Sequence, residues 1–239
     1  VSSEVSRTFP GIRDCIVASH PTVFKMTITE VALLHLASSV TIEDADLRSV
    51  LAQAKAVMQD YTGNTFYYFQ QIEDPSYVYI FGEWESLDQH MDHFIPSAAN
   101  QALLASLKDK VTVDWLLHAN VAHADLPLPR TDDEMAEARR VERVLSVGRH
   151  FVKEGKKEAF QKTFEANKHY LQDYITKGTM GGGWRIDVEG GKDEWVLLCP
   201  YTNVQQHLDF AKTEAFEHYA QIRDYIDGAE IKHAKLLDI

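Results

Sequence analysis

Two stretches of this chain, ESLDQHMDHF from Glu85 to Phe94 and YTNVQQHLDFA from Tyr201 to Ala211, carry nearly the same order of residues. A shift of 117 residues sets Trp84 on Tyr201, His90 on His207 and Asp92 on Asp209. Upstream, a shift of 113 residues sets Leu47 on Phe160, Leu51 on Phe164, Met58 on Leu171, and the triplet QDY ending at Tyr61 on the one ending at Tyr174. The GTMGGG insertion accounts for the difference. An internal repeat restricts the fold, because each copy has to be a supersecondary unit complete enough to be written twice.

Within the first copy, EVALLHLAS reads as a buried strand and LRSVLAQAKAVMQDY as a helix, with apolar residues at Leu47, Val50, Leu51, Ala54, Val57, Met58 and Tyr61. TFYYFQQI and YVYIFGEW are aromatic, β-branched strands around the turn residues EDPS. ESLDQHMDHF and SAANQALLASL form a helix interrupted near Pro96, and VTVDWLLHANV a fourth strand. The polar, proline-bearing HADLPLPRTDDEMAEARR then separates the copies, and the order β, α, β, β, α, β starts again, with its strand pair turning at Gly190 and Gly191. The expected fold class is α+β, as two tandem ferredoxin-like βαββαβ modules. The divisions are an N-terminal extension over 1–25, a module over 26–122, a linker over 123–138 and a second module over 139–239. Each module covers one sheet face with its own helices and leaves the other apolar. Packing the two sheet to sheet within one chain gives an intramolecular, pseudo-dimeric barrel. Further homodimerisation stays open.

The 239 residues are 45% hydrophobic, enough for a large core. With 24 basic against 36 acidic residues, the charge of −12 repels a phosphate backbone, so nucleic acid is not an expected partner. Cys15 and Cys199, the latter inside WVLLCPY, read as reduced thiols. VSSEVSRTFPGIR lacks the apolar core of a signal peptide, and no apolar run approaches the roughly 18 residues of a membrane span. A soluble, cytoplasmic protein without a membrane partner is expected.

YVYIFGEWESLDQHMDHF is a strand ending in an aromatic residue and Glu, followed by Ser and a helix bearing His. It resembles the dimeric α+β barrel superfamily, and within it the antibiotic biosynthesis monooxygenase domain. The resemblance implies a cavity between sheet and helices in each module, holding a small, flat, aromatic or polyketide-type molecule of secondary metabolism. It brings in cofactor-independent monooxygenases, polyketide cyclases, haem-binding degraders and peroxidases, and stress-responsive modules, among which fold does not choose. The Tyr of the cyclases' Tyr and His pair falls near His93, and the His near Ala99 or Asn100, so that pair is incomplete. The axial His of haem degraders falls at Asn100 and Gln101 in the first module and at His218 in the second.

Features present in one copy only are the better candidates for chemistry. His93 is replaced by Phe210, His35 by Gly148 and Tyr79 by Val196 under the same shifts. Imidazole exchanges a proton near neutral pH, so His93 and His35 are the candidate catalytic bases, with Tyr79 as an orienting hydroxyl. Trp84, His90, Tyr68, Phe94, Trp184, Arg185, His207 and His218 are the candidate substrate-binding residues. Each has a plainer alternative: His90 and its counterpart His207 as satisfied packing histidines, and the aromatic run from Phe66 to Phe69 as core. Arg185 and Asp187 alternate with Trp184 and read as an ion pair. His90 and His93 lack a third convergent ligand and HExxH is absent, so no metal is expected. GTMGGG precedes a strand, which fails the context of a phosphate-binding loop.

The expected activity is a cofactor-independent, monooxygenase-like proton abstraction followed by direct reaction with oxygen. The alternatives are a cyclase or lyase using the same chemistry, a haem-binding or haem-degrading protein, and a non-catalytic ligand-binding module.

Overall fold

Alternation of apolar side chains with a period of two forces a strand to present two faces. In this protein the strands at Ile28–Leu36, Tyr67–Gln71, Tyr77–Trp84, Val144–Val152 and Glu194–Tyr201 bury both for most of their length. The structure is a computed structural model that describes residues 27–140, 143–175, 178–188, 190 and 192–239. Cys15 and Gly191, like the extension over 1–25, lie outside the described residues.

The first half contributes β1 (Ile28–Leu36), α1 (Ala45–Thr62), β2 (Tyr67–Gln71), β3 (Tyr77–Trp84), α2 (Ala98–Leu107) and β4 (Val111–Ala119). After the connector and α3 (Asp132–Arg140), the second half contributes β5 (Val144–Val152), α4 (Lys157–Tyr174), β6 (Gly181–Trp184), β7 (Glu194–Tyr201), α5 (Val204–Phe210), α6 (Glu214–Tyr219) and β8 (Ile226–Leu236). All eight strands join one antiparallel sheet in the order β4-β1-β3-β2-β8-β5-β7-β6, so each half follows the same connectivity. The halves are therefore joined by backbone hydrogen bonds as well as by packing. Phe69, Gln70 and Gln71 of β2 pair with Leu236, Lys235 and Ala234 of β8.

The remaining edges also meet. Ala119 bridges Arg185, the Asn120 amide donates to the Trp184 carbonyl at 2.9 Å, and the Ile186 amide donates to the His118 carbonyl at 2.9 Å. The sheet thus closes into a barrel. An eight-stranded barrel has an interior that side chains alone can fill. Here Val31, Leu33, Phe69, Tyr79, Phe81, Leu117, Leu145, Val147, Val196 and Leu198 fill it. Glycines keep the thin edge strand β6 close to its neighbours: a Cβ on Gly181 would fall 1.9 Å from the Asp125 carbonyl oxygen.

The segment over 123–138, expected to be a polar linker, is only partly one. Leu126 and Leu128 are buried in the barrel core, because the Leu-Pro-Leu-Pro alternation sends both leucines to one side. The stretch ESLDQHMDHF is also not plain α-helix. From Gln89 to Phe94 it is a π-helical turn, in which the Ile95 amide donates to the His90 carbonyl. That wider turn buries His90 and Phe94 and leaves His93 outside.

The outer faces of the sheet carry the helices. In the first half, Leu47, Leu51, Ala54 and Met58 of α1 and Leu103 of α2 pack with Phe66, Tyr68, Trp84 and Phe94. In the second, Phe160, Phe164 and Leu171 of α4 pack with Trp195, Leu197, Cys199, Tyr201, Phe210 and Tyr219. No helix among the described residues is long and apolar enough to cross a membrane.

Candidate functional site

The register of the strands corrects one sequence alignment. Glu30 of β1 stands opposite His118 of β4, and Ser146 of β5 stands opposite His233 of β8. Glu30 therefore corresponds to Ser146, Ala32 to Gly148, and His35 to Phe151 rather than to Gly148. Helices and strands drift apart by a few residues between the copies, because the loops joining them differ in length.

On this register the histidines written in both halves build matching constructions. In the first half, Nδ1 of His90 lies 2.7 Å from Nε2 of His118, and Nδ1 of His118 lies 2.9 Å from Oδ2 of Asp187. In the second, Nδ1 of His207 lies 2.8 Å from Nε2 of His233, and Nδ1 of His233 lies 2.6 Å from Oε1 of Glu73. Each pair is backed by an aromatic ring: Trp84 stacks on His90 at 4.0 Å and Tyr201 on His207 at 4.5 Å. In both cases the carboxylate comes from the other half of the chain.

The two constructions open onto different surroundings. Beside His90 lies the Glu30 carboxyl, 3.8 Å from Nε2 and accepting from Trp84 Nε1 at 2.7 Å. Burial pushes Glu30 up to about 7, against the Trp84 bond and the charge of His118. Burial, together with His118 and against Asp187, holds His90 down to about 3. Phe66, Trp84 and Phe94 pack here as buried rings, and a Cβ on Gly82 would fall 2.2 Å from the Phe66 ring.

The second half is open at the equivalent place. A chamber of about 90 Å³ is lined by Ser146, Gly148, Cys199, Tyr201, His207 and Tyr219 among others. It shares His150, Phe216, Tyr219 and Ile231 as a common wall with an outer hollow of about 420 Å³, rimmed by Arg223 and Asp227. The room exists because Ser146 replaces a carboxyl and Gly148 carries no side chain. Burial, with His233 adding and Glu73 opposing, lowers His207 to about 4; burial likewise lowers His150 to about 4. Burial raises the Cys199 thiol to about 12, which keeps it protonated. At neutral pH the chamber therefore presents neutral imidazoles. Nε2 of His207 has no hydrogen-bond partner among the described residues.

The residues singled out from sequence fall in several places. His93 sits on the outer surface, its side chain 62% exposed and beside Asp88. His35 stacks on Tyr77 at 4.5 Å at the open end of β1. Tyr79 lies inside the barrel, where its hydroxyl accepts from Gln71 Nε2 at 3.1 Å. His93, His35 and Tyr79 are thus not brought together. Tyr68 donates to the Leu51 carbonyl at 3.0 Å and, with Trp84, Phe94 and His90, belongs to the closed first-half packing. Trp184 donates to Gln161 at 2.8 Å beneath the ammonium of Lys157. Arg185 pairs with Asp187 at 2.7 Å and with Glu194 at 3.1 Å. Of the sequence candidates, only His207 lines the second-half chamber. His218 is exposed and stacks on Tyr170 at 4.6 Å.

Sequence reasoning passed over His118, His233, Glu30 and Glu73. The signal available was small: HAN after VTVDWLL and HAK after AEIK place one histidine late in each copy's last strand.

No family model matches the chain, and no curated protein matches it. Solved structures do. A candidate monooxygenase from Lactobacillus acidophilus is 15% identical, with 89% of this chain and 100% of that one covered at a TM-score of 0.57. An anthrone oxidase-like protein is 10% identical, with 89% and 92% covered at 0.62. Chlorite dismutase from Candidatus Nitrospira defluvii is 10% identical, with 90% and 92% covered at 0.55. At such identities the likeness is one of fold. The protein has a mixed α+β fold built on an eight-stranded antiparallel sheet, and it shares that fold with these structures.

Proposed function

We propose that this chain is a monooxygenase-like enzyme that takes a proton from a small aromatic or polyketide-type molecule, with the second-half chamber as its site and His207 as its base. The observation that carries this reading is a neutral imidazole backed by a second ring: His207 lines an apolar hollow, and its Nε2 has no hydrogen-bond partner among the described residues. The proposal also takes the two halves as tandem copies of one module forming a pseudo-dimer, supported by their equal strand connectivity and matching histidine pairs.

The chemistry asks little of the protein. A substrate CH2 flanked by carbonyl-bearing or phenolic rings loses a proton to His207 Nε2. The carbanion gives its electrons to O2, one oxygen atom becomes the new carbonyl, and the other leaves as water with the two hydrogens. Ser146 and Tyr219 are hydroxyl donors on the same wall, placed to meet the enolate oxygen. The apolar lining from Leu171, Leu197, Phe210 and Phe216 excludes water and holds the ring. This assignment moves the base from His93 and His35 to His207.

The test is oxygen uptake with a panel of anthrones and hydroquinones. We expect uptake by the wild type and a loss of about 10²- to 10⁴-fold in His207→Gln, with an unchanged circular dichroism spectrum. Full activity in that variant would remove His207 from the reaction. Product formed without oxygen uptake would favour a cyclase or lyase.

A second reading rests on His150. Its Nδ1 lies 3.3 Å from the Trp195 carbonyl, the bond by which proteins orient an imidazole that binds metal through Nε2, and the ring borders the outer hollow. His150 thus fits as a haem ligand, whereas His218, stacked on Tyr170, stands outside the hollow's lining. Haem would supply redox chemistry there. A Soret band on haem titration that His150→Ala removes and His218→Ala keeps would support this reading.

A further inference from the structure

We infer that Glu73, a residue of the first half, fixes the proton arrangement of His207 in the second half and is the positioning residue of that site. This rests on the reading of His207 as the base. Glu73 lies in the turn after β2 and reaches across the β2–β8 seam. Its carboxylate accepts from the backbone amide of His233 at 3.0 Å and lies 2.6 Å from Nδ1 of the same residue. Burial opposes its ionisation, but the ring and backbone bonds of His233 outweigh it and hold Glu73 below the ordinary carboxylate range.

An ionised carboxylate only accepts, so Nδ1 of His233 has to carry a proton. In its neutral form this imidazole has one proton to place, which leaves Nε2 of His233 bare. Only a proton on Nδ1 of His207 can then satisfy the 2.8 Å contact between the rings. Nε2 of His207 is bare in turn, and it is the nitrogen without a partner. The reverse arrangement would set a lone pair of His233 against the Glu73 charge.

The same construction occurs a second time with different residues. Asp187 from the β6–β7 turn faces His118, which faces His90. There the bare nitrogen meets Glu30 among buried side chains, whereas in the second half His207 lines a hollow. The crossing is therefore reciprocal: each half lends its partner a carboxylate. The titratable groups around His207 are His233 on β8, Glu73 on the β2–β3 turn, Tyr201 and Cys199 on β7, His150 on β5, Tyr174 on α4 and Tyr219 on α6.

The test uses the full chain labelled with ¹⁵N-histidine. Ring nitrogen shifts of His207, assigned with His207→Gln, report which nitrogen bears the proton. At neutral pH we expect Nδ1–H in the wild type, a mixture of tautomers in Glu73→Ala, and restored Nδ1–H in Glu73→Gln, whose amide oxygen still accepts from His233. The kcat of Glu73→Ala should fall by about 10²-fold or more with KM near that of the wild type, as wrong-tautomer variants do. An Nε2–H tautomer in the wild type, or unchanged shifts in Glu73→Ala, would overturn the inference. Turnover retained by His207→Gln would instead sink the assignment of the base, while the shifts still decide the role of Glu73.

Discussion

Oδ2 of Asp187 stands 2.9 Å from Nδ1 of His118, although 69 residues separate them and they belong to opposite halves of the chain. Hydrogen bonds from His118 and Arg185 outweigh burial and hold Asp187 at about 2, so it is charged at any ordinary pH. Removing it takes the acceptor from a buried histidine pair and leaves the Arg185 guanidinium to Glu194 alone. Asp187→Ala should therefore lose stability on the order of 3–5 kcal/mol, read from chemical denaturation. A loss below about 1 kcal/mol would show that water replaces the carboxylate at the seam.

Gly148 makes the second-half chamber by having no side chain. A Cβ there would meet Cε1 of His150 at 3.1 Å and the Leu197 carbonyl at 3.4 Å, and further atoms would enter the hollow. Gly148→Val should keep the strand, which favours β-branched residues, and weaken binding of an aromatic ligand by tenfold or more. Fluorescence titration and a melting curve separate the two effects. Unaltered affinity would place the ligand elsewhere.

His93 is a surface residue and is expected to be silent. His93→Ala should change stability by less than about 0.5 kcal/mol and leave oxygen uptake as in the wild type. Loss of uptake would bring the π-helical turn back into the site.

Acid should destabilise this fold before it protonates the folded histidines. His90, held to about 3, and His123, His150 and His207, each held to about 4, stay neutral while the unfolded chain takes up protons below its ordinary histidine value. The unfolded state then binds more protons, so stability rises with pH between about 4 and 6.5, by about 1.4 kcal/mol per pH unit for each extra proton. Glu30 works in the opposite direction. Raised to about 7, it binds a proton in the folded state alone between its ordinary value and 7, and its contribution is lost as the pH climbs through 7. Stability measured in urea should thus peak between about pH 6 and 7. In Glu30→Gln the peak should broaden toward higher pH; an unmoved profile would mean that Glu30 is ionised throughout.

Much of the fold was legible because the two halves carry the same order of elements and obey the same periodicities. Strands, helices and their order came from alternation, helical spacing and the turns at EDPS and Gly190. Two features were misjudged for local reasons. The connector looked polar because its charges outnumber Leu126 and Leu128, and the π-helical turn keeps α-like composition while changing which side chains point inward. The preference for residues found in one copy only drew attention to His93 and His35. The proposed site uses histidines present in both halves instead.

What the sequence by itself determined was a repeated βαββαβ pattern with an apolar face in each copy, since side-chain periodicity is a local property of the chain. Which copy keeps an open chamber was decided only in three dimensions. It depends on Phe66 over Gly82 in one half and, in the other, on the room that Ser146 and Gly148 leave beside His150, Leu197 and Ile231, packing that no linear spacing reveals. The crossed carboxylates, Glu73 to His233 and Asp187 to His118, exist only because the barrel closes at both seams and brings the turns of one half against the last strand of the other.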